Sequence, residues 1–287
     1  MTALSKKMTV IDVLQSTTAY FKKHKIDNPR LNAEHLMAHA RGLTRMELYL
    51  EFERTLEETD LAPLRELVRR RAEGEPLQHL LGTVEFCGQI FLCDKRALVP
   101  RPETEELVEL LETEVRNQRP EVSIIDVGTG SGVIALSLAN KFPEAQILAV
   151  DISDDALALA RENAARLGLS EKVRFVKGSL LENFNERFDI IVANLPYIAM
   201  PDRHTLSREV LHDPETALFA GDSGEELIRA LIEAAPSRLR PGGLLAIEIG
   251  IGQSEGLMGL LTLKNYHDIC PKNDYSGVTR FVFAQYG

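Results

Sequence analysis

An apolar run, FDIIVA, ends at residue 193 and is followed at once by Asn194, Leu195, Pro196 and Tyr197. An asparagine side chain and a main-chain carbonyl just beyond a strand can each accept an N–H hydrogen bond. This pair of acceptors suits an amide or aromatic amine, whose nitrogen reacts only when its N–H groups are held and its lone pair is oriented. Proline stiffens the corner, and tyrosine offers a flat face to a planar group. A plain turn at the end of a strand is the alternative interpretation.

A glycine-rich loop lies upstream, in the segment IIDVGTGSGVIALSLA, between a predicted strand and a predicted helix. Gly128, Gly130 and Gly132 occupy alternate positions there, which allows a sharp turn and a close approach of a ligand to the main chain. A dinucleotide-binding fingerprint would have its third glycine one residue later, where Val133 stands. This spacing disfavours a pyrophosphate and favours a cofactor without phosphates, although a plain strand–helix turn stays open.

Two carboxylates accompany the loop. Asp126 precedes it, and Asp151 ends the next predicted strand in the segment LAVDIS. A carboxylate at that strand end can accept hydrogen bonds from a ribose diol, whereas Ser153 and Asp154 are better placed to cap the following helix. A ribose without a pyrophosphate fits both observations, and the combination DVGTGSG…AVD resembles S-adenosylmethionine-dependent methyltransferases of the Rossmann-like class.

The rest of the chain predicts the elements that position these segments. Residues 8–82 show only helical periodicity, which predicts a small all-helical domain over residues 1–82. Residues 83–100 alternate apolar and polar types around Gly88, which predicts a β-hairpin linker between domains. Residues 101–287 alternate short apolar strands with helices, which predicts an α/β domain with a parallel sheet and right-handed crossovers. The segment RFVFAQ is expected to be a final strand that runs antiparallel.

Composition excludes several classes of protein. The 287 residues include 44% hydrophobic residues and carry a formal net charge of −10, which disfavours a general affinity for nucleic acid. We find no secretory signal and no membrane span, so we expect a cytoplasmic monomer without a membrane partner or a stable nucleic acid partner. The three cysteines form no metal-ligand pattern, and His35 and His39 beside Glu34 depart from H-E-x-x-H, so no metal site is expected.

Four further segments carry a resemblance that covers nearly the whole chain: EGEPLQHLLGTVEFCG, ALVPRPETEELVE, RPGGLLAIEIGIGQ and DYSGVTRFV. They are similar to the HemK/PrmC family, the N(5)-glutamine methyltransferases of peptide chain release factors. PRPETE, residues 100–105, is the most specific of these motifs, because DNA methyltransferases do not share it. The resemblance implies a seven-stranded Rossmann-like methyltransferase domain and a helical N-terminal domain that docks the release factor. It also implies that S-adenosylmethionine is converted to S-adenosylhomocysteine as the glutamine of a Gly-Gly-Gln motif is methylated.

The resemblance further implies roles for individual residues. Those expected to bind the cofactor are Gly128, Thr129, Gly130, Ser131, Gly132, Asp151, Ser179, Leu180 and Asn194. Asn194 and Tyr197 are expected to be catalytic, and the substrate-binding residues are expected to be Asn194, Leu195, Pro196, Tyr197, Arg101 and Pro102, with Thr104 bordering the same cleft.

Two positions depart from the family pattern. Leu195 stands where the family usually has proline, so the corner has one fewer fixed φ. Ser179 stands where an acidic residue is common, which weakens the expected contact with the adenine amine.

Two other functions use the same motifs. An adenine-amine methyltransferase acting on DNA or RNA would share the corner, but it predicts a target-recognition domain and a basic surface. A non-catalytic S-adenosylmethionine-binding module is compatible with the leucine at position 195.

Overall fold

The computed structural model describes residues 8–116, 121–182 and 184–287. The first seven residues of the predicted helical domain, and residues 117–120 and 183 of the predicted α/β domain, lie outside the described residues. The chain forms two compact units, here called the helical unit (Met1–Gly82 with Ser207–His212) and the α/β unit (Thr83–Leu206 with Asp213–Gly287). Among the described helices, none combines the length and the apolar character that crossing a membrane requires.

The helical unit is built around buried apolar side chains, including Leu14, Phe21 and Leu36. Its helices are α1 (Val10–Lys23), α2 (Pro29–Arg41), α3 (Arg45–Leu50), α4 (Glu58–Ala72) and α5 (Leu77–Leu81). The periodicity did not predict α3, which has only six residues. A capping box between Thr44 and Glu47 begins this helix, and the spacing T-x-x-E was its sequence signal.

The segment Ser207–His212 belongs to the helical unit because a buried arginine holds it there. Arg71 is 3% exposed, and its Nη2 donates to Glu209 Oε2 at 2.7 Å while its Nε donates to Asn32 Oδ1, also at 2.7 Å. Each of these bonds pairs an N–H of the Arg71 guanidinium, a charged group that is costly to bury without partners.

The α/β unit contains eleven strands and six α-helices among the described residues. The strands are β1 (Thr83–Phe86), β2 (Gln89–Leu92), β3 (Ser123–Val127), β4 (Gln146–Asp151), β5 (Val173–Lys177), β6 (Phe188–Asn194), β7 (Ile198–Ala199), β8 (Phe219–Gly221), β9 (Leu239–Glu248), β10 (Tyr266–Asn273) and β11 (Thr279–Tyr286). The helices are α6 (Pro102–Arg116), α7 (Val133–Lys141), α8 (Asp154–Arg166), α9 (Glu215–Leu218), α10 (Glu226–Ala234) and α11 (Ser254–Leu263). Short 3-10 turns cover Met200–Thr205, Val210–His212 of the helical unit, and Ala235–Ser237.

Seven strands form one sheet in the order β10-β11-β9-β6-β3-β4-β5. Strands β9, β6, β3, β4 and β5 run parallel, and β11 pairs antiparallel with both β9 and β10. The predicted seven-stranded Rossmann-like sheet and its antiparallel final strand are therefore confirmed. The chain leaves β3 for β4 on one side and later returns to β6 on the other, so the carboxyl ends of these strands border a crevice.

The sheet is buried on both faces. Ile124 of β3 belongs to the core cluster on one face and its neighbour Ile125 to the cluster on the other, as alternation along a strand requires. The hairpin of β1 and β2 turns at Cys87 and Gly88, both with positive φ. It packs Phe86 and Phe91 edge to face in the first of these clusters, with ring centroids 6.0 Å apart.

Candidate active site

A cavity of about 310 Å³ opens at the carboxyl ends of β3, β4 and β6. The sequence-predicted residues that line it are Arg101, Thr104, Gly128, Thr129, Gly130, Ser131, Asp151, Ser179, Leu180, Asn194, Leu195 and Pro196. Three others do not line it: Pro102, which begins α6, Gly132, which precedes α7, and Tyr197, which packs beneath the corner. Residues from two distant sequence motifs and the PRPETE segment thus meet at one concave site.

Main-chain hydrogen bonds fix the glycine loop to the end of β4. The N–H groups of Gly128 and Thr129 both donate to the carbonyl of Val150, at 2.8 and 2.9 Å. Gly128 has φ +75°, and a Cβ at this position would lie 2.8 Å from Leu195 Cδ2. The loop needs glycine there both for its backbone conformation and for the space that the leucine occupies.

Asp151 is fixed by two main-chain donors. Its Oδ2 accepts from Gly130 N–H at 2.8 Å, and its Oδ1 accepts from Ser153 N–H at 2.9 Å. Ser153 itself caps α8, since its hydroxyl accepts from Ala156 N–H. Each carboxylate oxygen keeps a further lone pair, so Asp151 can still accept hydrogen bonds from a diol in the cavity.

The wall after β5 contains a conformation that is rare for residues other than glycine. Leu180 has φ +49° and lines the cavity next to Ser179. The left-handed region costs a non-glycine residue roughly 1–2 kcal/mol. Gly178 donates its N–H to the carbonyl of Asp151 at 3.0 Å, which ties this strained segment to the end of β4. Such strain is typical of functional sites.

Asp126 is completely buried beneath the glycine loop. Its Oδ2 accepts from Thr129 Oγ1 at 2.6 Å and from Ala135 N–H at 3.2 Å, while its Oδ1 has no hydrogen-bond partner among the described residues. Burial raises the pKa of Asp126 to about 7, and the nearby Asp151 adds to the rise. This carboxyl group organises the loop from below and is not exposed to the cavity.

The buried carboxyl of Asp126 predicts how stability depends on pH. Its pKa is about 7 in the folded protein and ordinarily 3.8, so the folded state binds more protons between these values and the free energy of unfolding falls as pH rises. The fall approaches about 1.4 kcal/mol per pH unit for one such group. Half-buried His35, whose pKa is lowered by burial, acts in the opposite direction. The free energy of unfolding, measured by urea denaturation at several pH values, should fall less steeply with pH in Asp126→Asn than in the wild type. An equal slope in the two proteins would contradict the role given to Asp126.

Asn194, at the end of β6, begins a chain of hydrogen bonds that leads to buried side chains. Its Nδ2 donates to Thr104 Oγ1 at 2.9 Å, and Thr104 Oγ1 donates to Glu248 Oε2 at 2.8 Å. Glu248 is 2% exposed, and burial raises its pKa to about 7. With Nδ2 engaged by Thr104, Oδ1 of Asn194 is the amide atom available as an acceptor at the cavity.

The leucine of the corner is explained by its packing. Leu195 is 5% exposed and belongs to the core cluster on one face of the sheet, and its Cδ2 occupies the space beside Gly128. Its peptide lies beyond the last ladder residue of β6. The leucine side chain therefore packs the corner against the glycine loop. The proline usual in the family would instead fix φ of the main chain at this position.

Gln253 supports the corner from the loop after β9. Its Oε1 accepts from Gly250 N–H at 2.8 Å, and its Nε2 donates to the carbonyls of Tyr197 and Gly224 at 3.1 and 3.2 Å. A Cβ on Gly224 would lie 2.6 Å from the Tyr197 carbonyl oxygen, so the two segments are in close contact. Burial raises the pKa of the Tyr197 phenol to about 12, which keeps it neutral at physiological pH.

Replacing Gln253 by glutamate tests this support. The change puts a carboxylate oxygen where Nε2 donates to two carbonyls, so two hydrogen bonds are lost and like partial charges face one another. We expect a loss of roughly 1–3 kcal/mol in the free energy of unfolding, measured by urea denaturation. Gln146→Glu, at an exposed position that begins β4, is the matched control. Equal losses in the two variants would show that Gln253 does not brace the corner.

Arg101 borders the cavity through a buried partner. Its Nη2 donates to Asp213 Oδ2 at 2.6 Å, and Asp213 Oδ1 accepts from Val99 N–H at 3.1 Å. No role was predicted for Asp213, Glu248 or Gln253 from the sequence. The signal for Glu248 was an acidic residue within the otherwise apolar end of a predicted strand, LLAIEIG, next to the strand that carries Asn194.

The fold and the site are those of the Rossmann-like methyltransferase class. They combine a seven-stranded mostly parallel sheet, a glycine loop after the first parallel strand, a carboxylate at the end of the second and an Asn-Leu-Pro-Tyr corner. The family profile described as "Methyltransferase domain" matches residues 118–250, and that described as "PrmC N-terminal domain" matches residues 12–82. The crystal structure of the catalytic domain of hMettl16 with MAT2A 3′UTR hairpin 1 has a similar fold, with a TM-score of 0.59 at 19% identity over 77% of this chain and 80% of that one.

Curated relatives identify the family. The release factor glutamine methyltransferase of Geobacter sulfurreducens is 40% identical over 289 residues, covering 100% of both chains. That of Chlorobaculum tepidum is 40% identical over 288 residues, covering 96% of both chains. The chain belongs to the family of release factor glutamine methyltransferases.

Proposed function

We propose that this protein transfers a methyl group from S-adenosylmethionine to the side-chain amide nitrogen of the glutamine in the Gly-Gly-Gln motif of peptide chain release factors. The observation that carries the proposal is the Asn194 amide, whose Nδ2 is engaged by Thr104 so that Oδ1 is left as an acceptor beside the glycine-loop cavity. Relatives at 40% identity over essentially the whole chain support the choice of substrate.

The residues present fit S-adenosylmethionine. Asp151 retains acceptor capacity for the ribose hydroxyls. Gly130 lines the cavity without a side chain, which lets the methionine part approach the main chain there. Ser179 and Leu180 form the wall proposed for the adenine. When bound, the cofactor supplies a methyl group on a sulfonium and leaves as S-adenosylhomocysteine.

The corner residues perform the positioning. Asn194 Oδ1 accepts one N–H of the substrate amide and the Leu195 carbonyl accepts the other, so the nitrogen lone pair faces the methyl group in line. Pro196 restricts the corner, and Tyr197 packs against the core cluster that contains Leu195. No strong base is needed, because the nitrogen loses its proton after it becomes cationic. Arg101 and Pro102 lie at the proposed entry of the glutamine loop.

The helical unit is proposed to dock the body of the release factor. The "PrmC N-terminal domain" profile matches this part of the chain and supports that role. The assignment of residues 1–82 to docking, 83–100 to a linker and 101–287 to catalysis stays a prediction.

Transfer of label from S-adenosylmethionine tests the proposal. The protein is incubated with labelled cofactor and, in separate reactions, with a release factor, with DNA and with RNA. We expect label on the release factor only, and a release factor whose Gly-Gly-Gln glutamine is replaced by alanine should remain unlabelled. Label on nucleic acid alone would instead indicate an adenine-amine methyltransferase. Cofactor binding without any transfer would indicate a non-catalytic module.

A further inference from the structure

We propose that Thr104 and Glu248 are positioning residues that determine which end of the Asn194 amide faces the substrate. The inference rests on the proposed function, in which Asn194 must accept a hydrogen bond from the substrate amide. It gives the PRPETE motif a chemical purpose, since Thr104 is the threonine of that motif.

The three side chains come from three different elements. Thr104 lies in the first turn of α6, Asn194 ends β6 and Glu248 ends β9. Asn194 and Glu248 are register partners in neighbouring parallel strands, so their side chains leave the sheet at the same level. Thr104 is 3% exposed and Glu248 2% exposed, so solvent does not supply alternative partners to this chain of hydrogen bonds.

The direction of the hydrogen bonds follows from the chemistry of the last member. When Glu248 is ionised, its carboxylate can only accept, so the single hydroxyl proton of Thr104 then points to Glu248, at 2.8 Å. The hydroxyl oxygen can then only accept from Asn194, and the atom it meets at 2.9 Å must be Nδ2. Oδ1 of Asn194 is thereby directed away from Thr104.

Without these hydrogen bonds to Thr104 and Glu248, the Asn194 amide would have no preferred orientation. The two ends of an asparagine amide have almost the same shape, and rotation about χ2 exchanges them. The exchanged orientation presents an N–H to the N–H of the substrate, which cannot form a hydrogen bond. Thr104 and Glu248 therefore act through Asn194, and neither needs to contact the reacting atoms.

The position of Thr104 is itself fixed. Its N–H donates to the carbonyl of Arg101 at 3.1 Å in the turn that begins α6. The Arg101 side chain is held by the buried Asp213 at 2.6 Å. The turn that carries the hydroxyl is therefore anchored through Arg101, which limits its movement relative to Asn194.

The ionisation of Glu248 gives a second observable. Charged or titratable groups act on it from three directions: Glu103 on α6, Arg280 on β11 and Tyr197 beyond β6. Burial is the largest influence and raises the pKa of Glu248 to about 7, while hydrogen bonds from Thr104 and from Asn194 itself lower it. A protonated Glu248 could donate to Thr104 and so release the hydroxyl proton towards Asn194. The kcat for methyl transfer should therefore fall as pH decreases through about 7.

The first experiment compares Thr104→Val with Thr104→Ser. Valine keeps the shape and removes the hydroxyl, so we expect kcat to fall roughly 10- to 100-fold while KM for the cofactor and the release factor stays within about twofold. Serine restores the hydroxyl and should recover most of the lost kcat. Glu248→Gln should lower kcat and abolish its fall through pH 7. An unchanged kcat in Thr104→Val, or equal losses in the valine and serine variants, would overturn the proposal.

A measurement without turnover separates this proposal from the proposed function. The side-chain amide protons of Asn194, observed by NMR in the full chain, should include one protected by its bond to Thr104. We expect that protection in the wild type and Thr104→Ser. In folded Thr104→Val it should be clearly reduced, since only Glu248 still accepts from the amide. Equal protection in all three proteins would overturn the relay, whether or not a release factor is methylated. A release factor left unmethylated while the protection pattern holds would contradict only the proposed function.

Discussion

Asn194→Ala is expected to reduce kcat for release factor methylation by about 10²- to 10³-fold, the usual loss when one oriented hydrogen-bonding group is removed from an active site. The substitution removes Oδ1, the acceptor proposed for the substrate amide, and leaves the Leu195 carbonyl as the only acceptor of the proposed pair. It also leaves the Thr104 hydroxyl, which lines the cavity, without the donor 2.9 Å away. Steady-state kinetics with a release factor as substrate measures the effect.

The control for this variant is Asn140→Ala. Asn140 is exposed near the end of α7, and alanine is a favourable residue in a helix. This variant should keep the kinetics of the wild type. If Asn194→Ala kept them as well, the Asn-Leu-Pro-Tyr corner would not be the amide-binding site.

Gly128→Ala is expected to have the second large effect, on both stability and cofactor binding. A new Cβ at φ +75° would be strained and would lie 2.8 Å from Leu195 Cδ2, which is buried and cannot move freely. We expect a loss of about 1–3 kcal/mol in the free energy of unfolding, since strain and overpacking act together. Weaker binding of S-adenosylmethionine should accompany it, because the loop must shift away from the corner. Urea unfolding and calorimetric titration measure the two effects.

Two further variants separate the causes. Gly168→Ala has a similar φ of +71° but no atom within 4 Å of the new Cβ, so it reports the cost of the backbone strain alone. The double variant Gly128→Ala with Leu195→Ala removes the steric conflict, and its coupling energy should be favourable. An additive double variant would show that Leu195 does not contact the glycine loop as described.

The residues that could be predicted from the sequence were those whose types are unusual for their position. Alternate glycines after an apolar strand, an aspartate ending the next strand and the amide at residue 194 indicated one site at the switch point of a parallel sheet. The structure brings these segments together around one cavity. The parallel sheet followed from the alternation of strands and helices, its seven strands from the family resemblance, and the antiparallel β11 from the lack of a helix after it.

The remaining features depend on contacts that periodicity does not encode. The edge strand β10 is exposed at five of its eight residues, so no apolar pattern indicated it. Gln253 is an ordinary polar residue until the fold brings it to the carbonyl of Tyr197. Leu195 could be read only as a departure from the family pattern, because its packing against Gly128 exists only after β3 and β6 pair.

One particular nitrogen is proposed to receive the methyl group, the side-chain amide of the Gly-Gly-Gln glutamine. Mass spectrometry of the peptide containing that motif, after a release factor has been incubated with the protein and S-adenosylmethionine, tests it most directly. We expect an increase by the mass of one methylene group, localised by fragmentation to the glutamine side chain and absent with Asn194→Ala. An unmodified glutamine, or a methyl group on another residue of the release factor, would contradict it.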